Sequence, residues 1–364
     1  MPISSALGSS ALLPAGLGHR NTVINGHMRI AQRGTTAVST NDSFPVDRWK
    51  FGIGTSGAWT AQQIPTATTA TPAGFDYSLN FTKTTGGTVG VGEYNYFVQY
   101  IEGNNCSHFD WGTANAKTLT LSFWVRSGQV GTFGGSLRNA AANYAYCFSY
   151  TVNAINTWEY KTIQITGVTG GTWLKDTSTG ISLFFDLGSG ANARGAVGVA
   201  TGNLIGASGT SLYPSNTTGG YINFTGVQLE QNYQPTPFEQ RPYGVELQLC
   251  QRYYETSYIR PDTNGTVTAL GIHIGSGTAA SRTTGEIRDS HQFMVEKRAT
   301  PTVTLFSNTG QTNTVTRADF GTAYNGNRTG SVTDPSRKNF GVYSGDSGAH
   351  GSALLFHFVA EAEL

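Results

Sequence analysis

The stretch that decides the fold runs from residue 226 to residue 254. It opens Gly226-Val227-Gln228-Leu229-Glu230, continues through Pro235-Thr236-Pro237-Phe238-Glu239-Gln240-Arg241-Pro242, and closes Glu246-Leu247-Gln248-Leu249-Cys250-Gln251-Arg252-Tyr253-Tyr254. Val227 and Leu229 alternate with polar neighbours, the pattern of a strand with one buried face. Pro235, Pro237 and Pro242 withhold backbone donors, so a sheet ladder stops there. From Glu246 to Tyr254 there is no Gly or Pro, and Leu247, Cys250 and Tyr254 fall at helical spacing. The stretch therefore reads as a seam: a β module ends, one short helix follows, and a second β module begins.

Outward from the seam, strand signals recur between Gly, Asn and Thr punctuation. Upstream they cover 46–53, 75–82, 95–101, 118–126, 144–152, 159–166, 181–187 and 221–230. In 118–126, Leu119, Leu121, Phe123 and Val125 line one face, while Thr118, Thr120, Ser122 and Trp124 line the other. Eight strands with long returns match a two-sheet jelly roll. The connection over 188–220 is long and rich in small residues, a length often associated with function. Downstream, 266–274, 286–294, 302–306 and 353–359 read as strands. The last is nearly continuous in apolar residues, as in a strand covered on both faces or set at a subunit contact. The polar segment 307–348 reads as exposed tip loops. The expected fold is all-β: an arm over 1–20, a jelly-roll β-sandwich over 21–242, a helical linker over 243–254 and a smaller β-sandwich-like domain over 255–364.

Composition agrees. Of 364 residues only 12% are charged, whereas 47 are Gly, so hydroxyl and amide groups must carry solubility. Six Trp, 17 Tyr and 19 Phe supply ample surface to bury, which excludes a disordered chain. A net charge of +1 with scattered Lys and Arg gives no nucleic-acid stripe. No apolar run reaches the roughly 20 residues of a membrane span, and the first 18 residues lack the basic start of a secretory signal. Cys106, Cys147 and Cys250 are an odd, sparse set without metal-ligand spacing, read as reduced and structural in a bacterial cytoplasm.

The seam is similar to a junction in many bacteriophage tail-fibre and minor structural proteins, where a jelly-roll module ends in the same GVQLE, PFE and RP elements and continues through LCQRYY. Ile24-Asn25-Gly26-His27-Met28-Arg29-Ile30-Ala31-Gln32-Arg33-Gly34 with Asp47-Arg48-Trp49 resembles their opening. Lys297–Thr304 and Ala360-Glu361-Ala362-Glu363-Leu364 resemble their close. The resemblance covers about residues 21–364 and implies a virion component, with homotrimers usual in such fibres.

No catalytic constellation stands out. The Gly-Ser-Gly sites at 188–190 and 275–277 lack the strand-to-helix context of a nucleophile elbow. Gly86–Gly92 lacks the Lys and Ser or Thr of a phosphate loop. The histidines are too dispersed for a local zinc motif, and no carboxylate pair suggests a glycosidase. No cofactor or metal is expected, although Asp47, Glu93, Asp110 and Asp186 flank strands in a way that would suit Ca²⁺. Asp47-Arg48-Trp49, read as a strand, puts Arg48 opposite the other two, with Trp49 packing in the core and Arg48 pairing with a carboxylate.

Binding carries the positive signal, because sugars stack on aromatic rings and bond to amides. Trp59, Trp111 and Trp173 sit beside turn residues and are the candidate carbohydrate platforms, with Tyr324, Asn325 and Asn327 in the C-terminal loops. The expectation is a nonenzymatic virion protein, a tail or head fibre contacting a host surface glycan, with the arm over 1–20 either a disordered terminus or docked on other virion proteins. The alternatives are a structural adaptor or capsid decoration protein and a surface-polysaccharide depolymerase.

Overall fold

The computed structural model describes residues 20–54, 57–68, 70–276, 286–319, 326–345 and 352–364. The fold is all-β with two short α-helices. Up to the seam the strands are β1 (Ser43–Val46), β2 (Trp49–Ile53), β3 (Trp59–Pro65), β4 (Tyr77–Lys83), β5 (Asn95–Glu102), β6 (Leu119–Ser127), β7 (Gly131–Arg138), β8 (Tyr144–Val152), β9 (Glu159–Ile165), β10 (Thr179–Asp186), β11 (Arg194–Gly195), β12 (Gly198–Thr201), β13 (Gly206–Ala207) and β14 (Tyr221–Glu230). One sheet has the order β1-β2-β5-β10-β7-β8-β12 and the facing sheet β3-β4-β14-β6-β9. The chain crosses between the sheets at β2–β3, β4–β5, β5–β6, β6–β7, β8–β9 and β9–β10 and returns to the five-stranded sheet at β14, which is jelly-roll winding.

Alternation builds the core between the sheets. Leu119, Leu121, Phe123 and Val125 of β6 point inward and are fully buried, as are Phe224 and Leu229 of β14. At the centre Phe97 of β5 stacks on Phe185 of β10, with ring centroids 4.7 Å apart. Strand β3 departs from the usual strand composition, with Ala61 and Gln63 following Trp59 as its inward residues. Strand β7 carries three glycines, which is why it gives no strand signal in the sequence.

The reading of Asp47-Arg48-Trp49 as continuous strand is corrected. Val46 pairs with Trp49, so Asp47 and Arg48 form the turn between β1 and β2. Arg48 takes a left-handed φ of 71°, costly for a residue with a β-carbon. Its side chain holds it there, donating to Glu363 and to the Tyr100 carbonyl and lying 3.5 Å from the Tyr253 ring centre. Trp49 does pack in the core, fully buried.

Helix α1 (Gly103–Cys106) is one turn; α2 (Tyr243–Gln251) is the seam helix. Pro242 caps α2, and Cys250 packs with Ile24, Ile30 and Tyr253. Tyr254 lies beyond the helix in the next strand, because its ring is drawn against Arg33, 3.7 Å from the guanidinium.

The remaining strands are β15 (Tyr254–Thr256), β16 (His273–Ser276), β17 (Glu286–Gln292), β18 (Thr302–Phe306), β19 (Thr314–Asp319), β20 (Asn327–Thr329), β21 (Ser331–Thr333), β22 (Asn339–Gly345) and β23 (Ser352–Glu361). Strand β23 pairs with β15, β16, β18 and β19, while β17, β22 and β21 form a second sheet. Leu354, Phe356, Phe358 and Ala360 face a core with Phe293 and Phe340. The other face of β23 is also buried: His357 stacks on Tyr258 at 4.1 Å and bonds the Thr268 carbonyl. Two departures from expectation lie in this domain. The expected strand over 266–274 begins only at His273, with 266–272 irregular apart from a turn at 270–271, and the polar segment 307–348 contains β19 to β22 rather than only loops.

Candidate functional site

The outer face of the five-stranded sheet carries the site. On β6, Ser122 and Trp124 point away from the core, and on β9 Tyr160 and Thr162 do the same. The register sets Trp124 opposite Tyr160 and Ser122 opposite Thr162. The Trp124 and Tyr160 rings lie 5.3 Å apart at 49°, and Tyr160 is 42% exposed. They floor a groove of about 610 Å³ walled by Phe75, Pro235 and Phe238. Cross-strand aromatic pairs of this kind stabilise a sheet, but here the rings are open on the far side.

The wall is built from the seam. On β14, Val227 and Leu229 enter the core, whereas Gln228 and Glu230 point out and hold the proline segment. Glu230 accepts from the Thr236 amide at 2.8 Å and its hydroxyl at 2.7 Å. Gln228 accepts from the Glu239 amide at 2.8 Å and donates to the Thr236 carbonyl at 3.2 Å. Asn21 ties the opening segment to the same strand, donating to the Val227 carbonyl and accepting from the Leu229 amide.

A bulge in β14 between Thr225 and Gln228 makes room for the aromatics. Gly226 there has φ +62°, and a β-carbon would lie 2.6 Å from the Phe75 ring and 3.1 Å from Trp124. Phe75 packs edge-on to Phe238 at 5.1 Å, and His27 lies 5.0 Å from Phe75. His27 accepts from the Asp76 amide through Nε2, which leaves Nδ1 to donate to Gln240 Oε1 at 3.1 Å. Burial first, and then the Arg29 charge, push the His27 pKa below its usual value, consistent with a neutral ring serving as a peg.

Beside the aromatic floor the same face is polar. The Arg126 guanidinium lies 5.1 Å from the Tyr221 ring centre, and its Nε donates to the Asn156 carbonyl. Asn223 of β14 sits between Asn80 and Arg126 in the register and is 1% exposed. Among the described residues both its amide atoms lack a partner, an unusual expense for a buried side chain.

The residues singled out in the sequence fall elsewhere. Trp59 is 1% exposed, edge-on to Phe51 and under the Lys83 ammonium. Trp111 and Trp173 pack edge to face at 4.8 Å, and their indoles donate to the Lys117 and Gly170 carbonyls. Burial therefore removes all three as stacking platforms: each ring is drawn into the core by its own apolar area. The Asn327 amide is spent on Thr309 and Gln311. Tyr324 and Asn325 lie outside the described residues, as does the arm over 1–20 except for Arg20, which donates to the Pro237 carbonyl.

Trp124 and Tyr160 were not singled out. The signal was present, since alternation in β6 assigns Trp124 to the face away from the core. Among the described residues no group of three His, Cys, Asp or Glu is placed to hold a metal ion. Asp186, one of the four carboxylates considered for Ca²⁺, accepts instead from the Gly188 and Ser189 amides and from Arg194. All three cysteines are free and buried.

By sequence the chain matches no family profile and no curated protein. Among solved structures, it is similar over 58% of its length to a putative sugar binding protein from Bacteroides thetaiotaomicron, all of which is covered, at 9% identity and a TM-score of 0.33. A family 11 carbohydrate-binding module of a Clostridium thermocellum cellulase is 99% covered by 56% of this chain, at 12% identity and a TM-score of 0.28. The enzymatically active domain of tailspike protein 4 of bacteriophage CBA120 is matched at 15% identity and a TM-score of 0.31, over 58% of this chain and 22% of that one.

Proposed function

We propose that this chain is a nonenzymatic bacteriophage virion protein, a tail or head fibre that binds host surface glycan through the outer face of its five-stranded sheet. The observation that carries the binding is the Trp124–Tyr160 floor: two rings held in register by paired strands, open on one side and bordered by hydroxyl and amide groups. An apolar sugar face stacks on such rings while its hydroxyls bond to the bordering hydroxyls of Ser122 and Thr162. A site on strands is preorganised, so little rotamer entropy is lost on binding. The virion role rests on the resemblance of the seam and of the two end motifs. As a homotrimer docked by its residue 1–20 arm, the protein multiplies a weak single-site affinity by linking copies.

The test is a glycan array probed with the full chain and with Trp124→Ala/Tyr160→Ala. Binding by the parent chain that the double variant loses supports the reading. An array without any bound glycan overturns it and favours an adaptor or decoration protein.

A further inference from the structure

A second recess lies across the Phe75–Asp76 segment from the aromatic groove. It is a cleft of about 570 Å³ lined by residues that include Arg29, Gln63, Tyr77, Tyr243 and Arg260, within the ~300–1,000 Å³ of small-molecule sites. His27 separates the two recesses, bonding Gln240 on one side and the Asp76 amide on the other.

The two guanidiniums of the cleft differ. Arg29 is matched by Asp76, to which it donates. Arg260 has no carboxylate within 4.0 Å among the described residues. Its hydrogen bond is a long one, from Nη1 to the Asp262 carbonyl at 3.5 Å, and its buried Nη2 has no partner among the described residues. Burial lowers its pKa, with Asp47 only partly opposing. A desolvated guanidinium edge without an acceptor is costly, and turning that edge into the cleft to meet an incoming anion removes the cost.

We propose that this cleft binds the carboxylate of an acidic sugar, a hexuronate, with Arg260 as its charge partner. This rests on the glycan-binding reading and assigns the acidic component of the ligand. The guanidinium fork matches a planar carboxylate through two parallel hydrogen bonds. One uncompensated cation balances one carboxylate; a phosphate dianion would need a second free cation, and Arg29 is already neutralised by Asp76. Tyr243 at the start of α2, 53% exposed, offers a ring to the sugar body.

The test is saturation-transfer NMR on the full chain with methyl glucuronide, methyl glucoside and inorganic phosphate as probes. The glucuronide should bind and the glucoside should bind at least tenfold more weakly. Arg260→Gln should weaken the glucuronide about tenfold or more, the scale of a lost charge-assisted hydrogen bond. Arg260→Lys, which keeps the charge but not the fork, should fall between. Equal binding of glucuronide and glucoside overturns the proposal, as does a folded Arg260→Gln protein with parental affinity. Phosphate that competes as well as glucuronide overturns the sugar assignment. If glucuronide binds through Arg260 while an array shows no neutral glycan, the sheet-groove reading fails alone. If neutral glycans bind and glucuronide has no advantage, this inference fails alone.

Discussion

Arg48 and Glu363, 315 positions apart, form an ion pair that is almost wholly withdrawn from water, with side chains 2% and 8% exposed. Arg33 adds a second cation to Glu363 at 3.3 Å, and Arg298 donates to the Glu363 carbonyl at 2.7 Å. Through these contacts the strand β23 end is fastened to the β1–β2 turn. The motifs at the two ends of the sequence thus act on one another. A parallel tie joins Glu102 of β5 to Arg252, with bonds of 2.7 and 2.9 Å, and to the Tyr253 hydroxyl.

Breaking one partner of such a pair leaves the other charge stranded. Glu363→Gln is expected to lower the unfolding free energy by about 3 kcal/mol, read as a lower midpoint in urea. An unchanged midpoint would mean that the arginines find other acceptors and that the tie contributes nothing.

Trp124→Ala should separate binding from stability. Removing a central stacking ring costs about 2 kcal/mol of affinity, roughly thirtyfold, whereas the melting temperature moves little because the ring lies outside the core. Trp59→Ala should do the reverse to stability, losing about 3–5 kcal/mol as a cavity opens. Calorimetry and titration on both variants check the pair; equal destabilisation would place Trp124 among the structural aromatics.

Gly226→Val meets two obstacles, the positive φ and the Phe75 ring 2.6 Å from the new β-carbon. A loss of about 1–3 kcal/mol is expected from the backbone alone, with weakened glycan binding because Phe75 must move. A variant of parental stability would show that the bulge is not fixed by Gly226.

Acid should weaken the C-terminal sandwich through His291. Burial, followed by the neighbouring His273, holds its pKa down to about 4; Asp289 opposes this and Lys297 adds to it. His273 itself pairs with Asp289 at 2.7 Å. The unfolded chain binds the proton near pH 6.5 and the folded chain refuses it, so stability falls as pH drops from about 6.5 to about 4. The upper bound is about 3 kcal/mol, reduced by solvent screening because the ring is only partly buried. Melting curves across this window should flatten in His291→Phe; an identical slope in both proteins would assign the acid sensitivity elsewhere.

Alternation made most of the first sandwich legible. Strands β8 and β14 match the sequence reading at both ends, and β6 is displaced by one residue at each end. Strands β3 and β7 were hidden because Gln63 and the β7 glycines are held by neighbouring strands rather than by their own propensity. The aromatic platform was half visible. Strand parity separates Trp124 from the core, but its partner Tyr160 is set by a pairing 36 residues away in the chain. Trp59, Trp111 and Trp173 misled because turn residues beside an indole say nothing about which way the ring folds. Arg260 gives no local signal at all, since its lack of a carboxylate partner among the described residues is a property of the assembled cleft.

One feature of the groove separates attachment from recognition. The proline wall hangs on Gln228 and Glu230, which grip the main chain at Thr236 and Glu239 and the Thr236 hydroxyl. The groove itself meets Pro235 and Phe238. Thr236 both carries the fastening and lines the groove, whereas Pro235 and Phe238 line it without a fastening bond, so substitutions at positions 235 and 238 leave the fastening intact. Under the proposed glycan-binding role, preference for one sugar over another can drift on a scaffold that stays still.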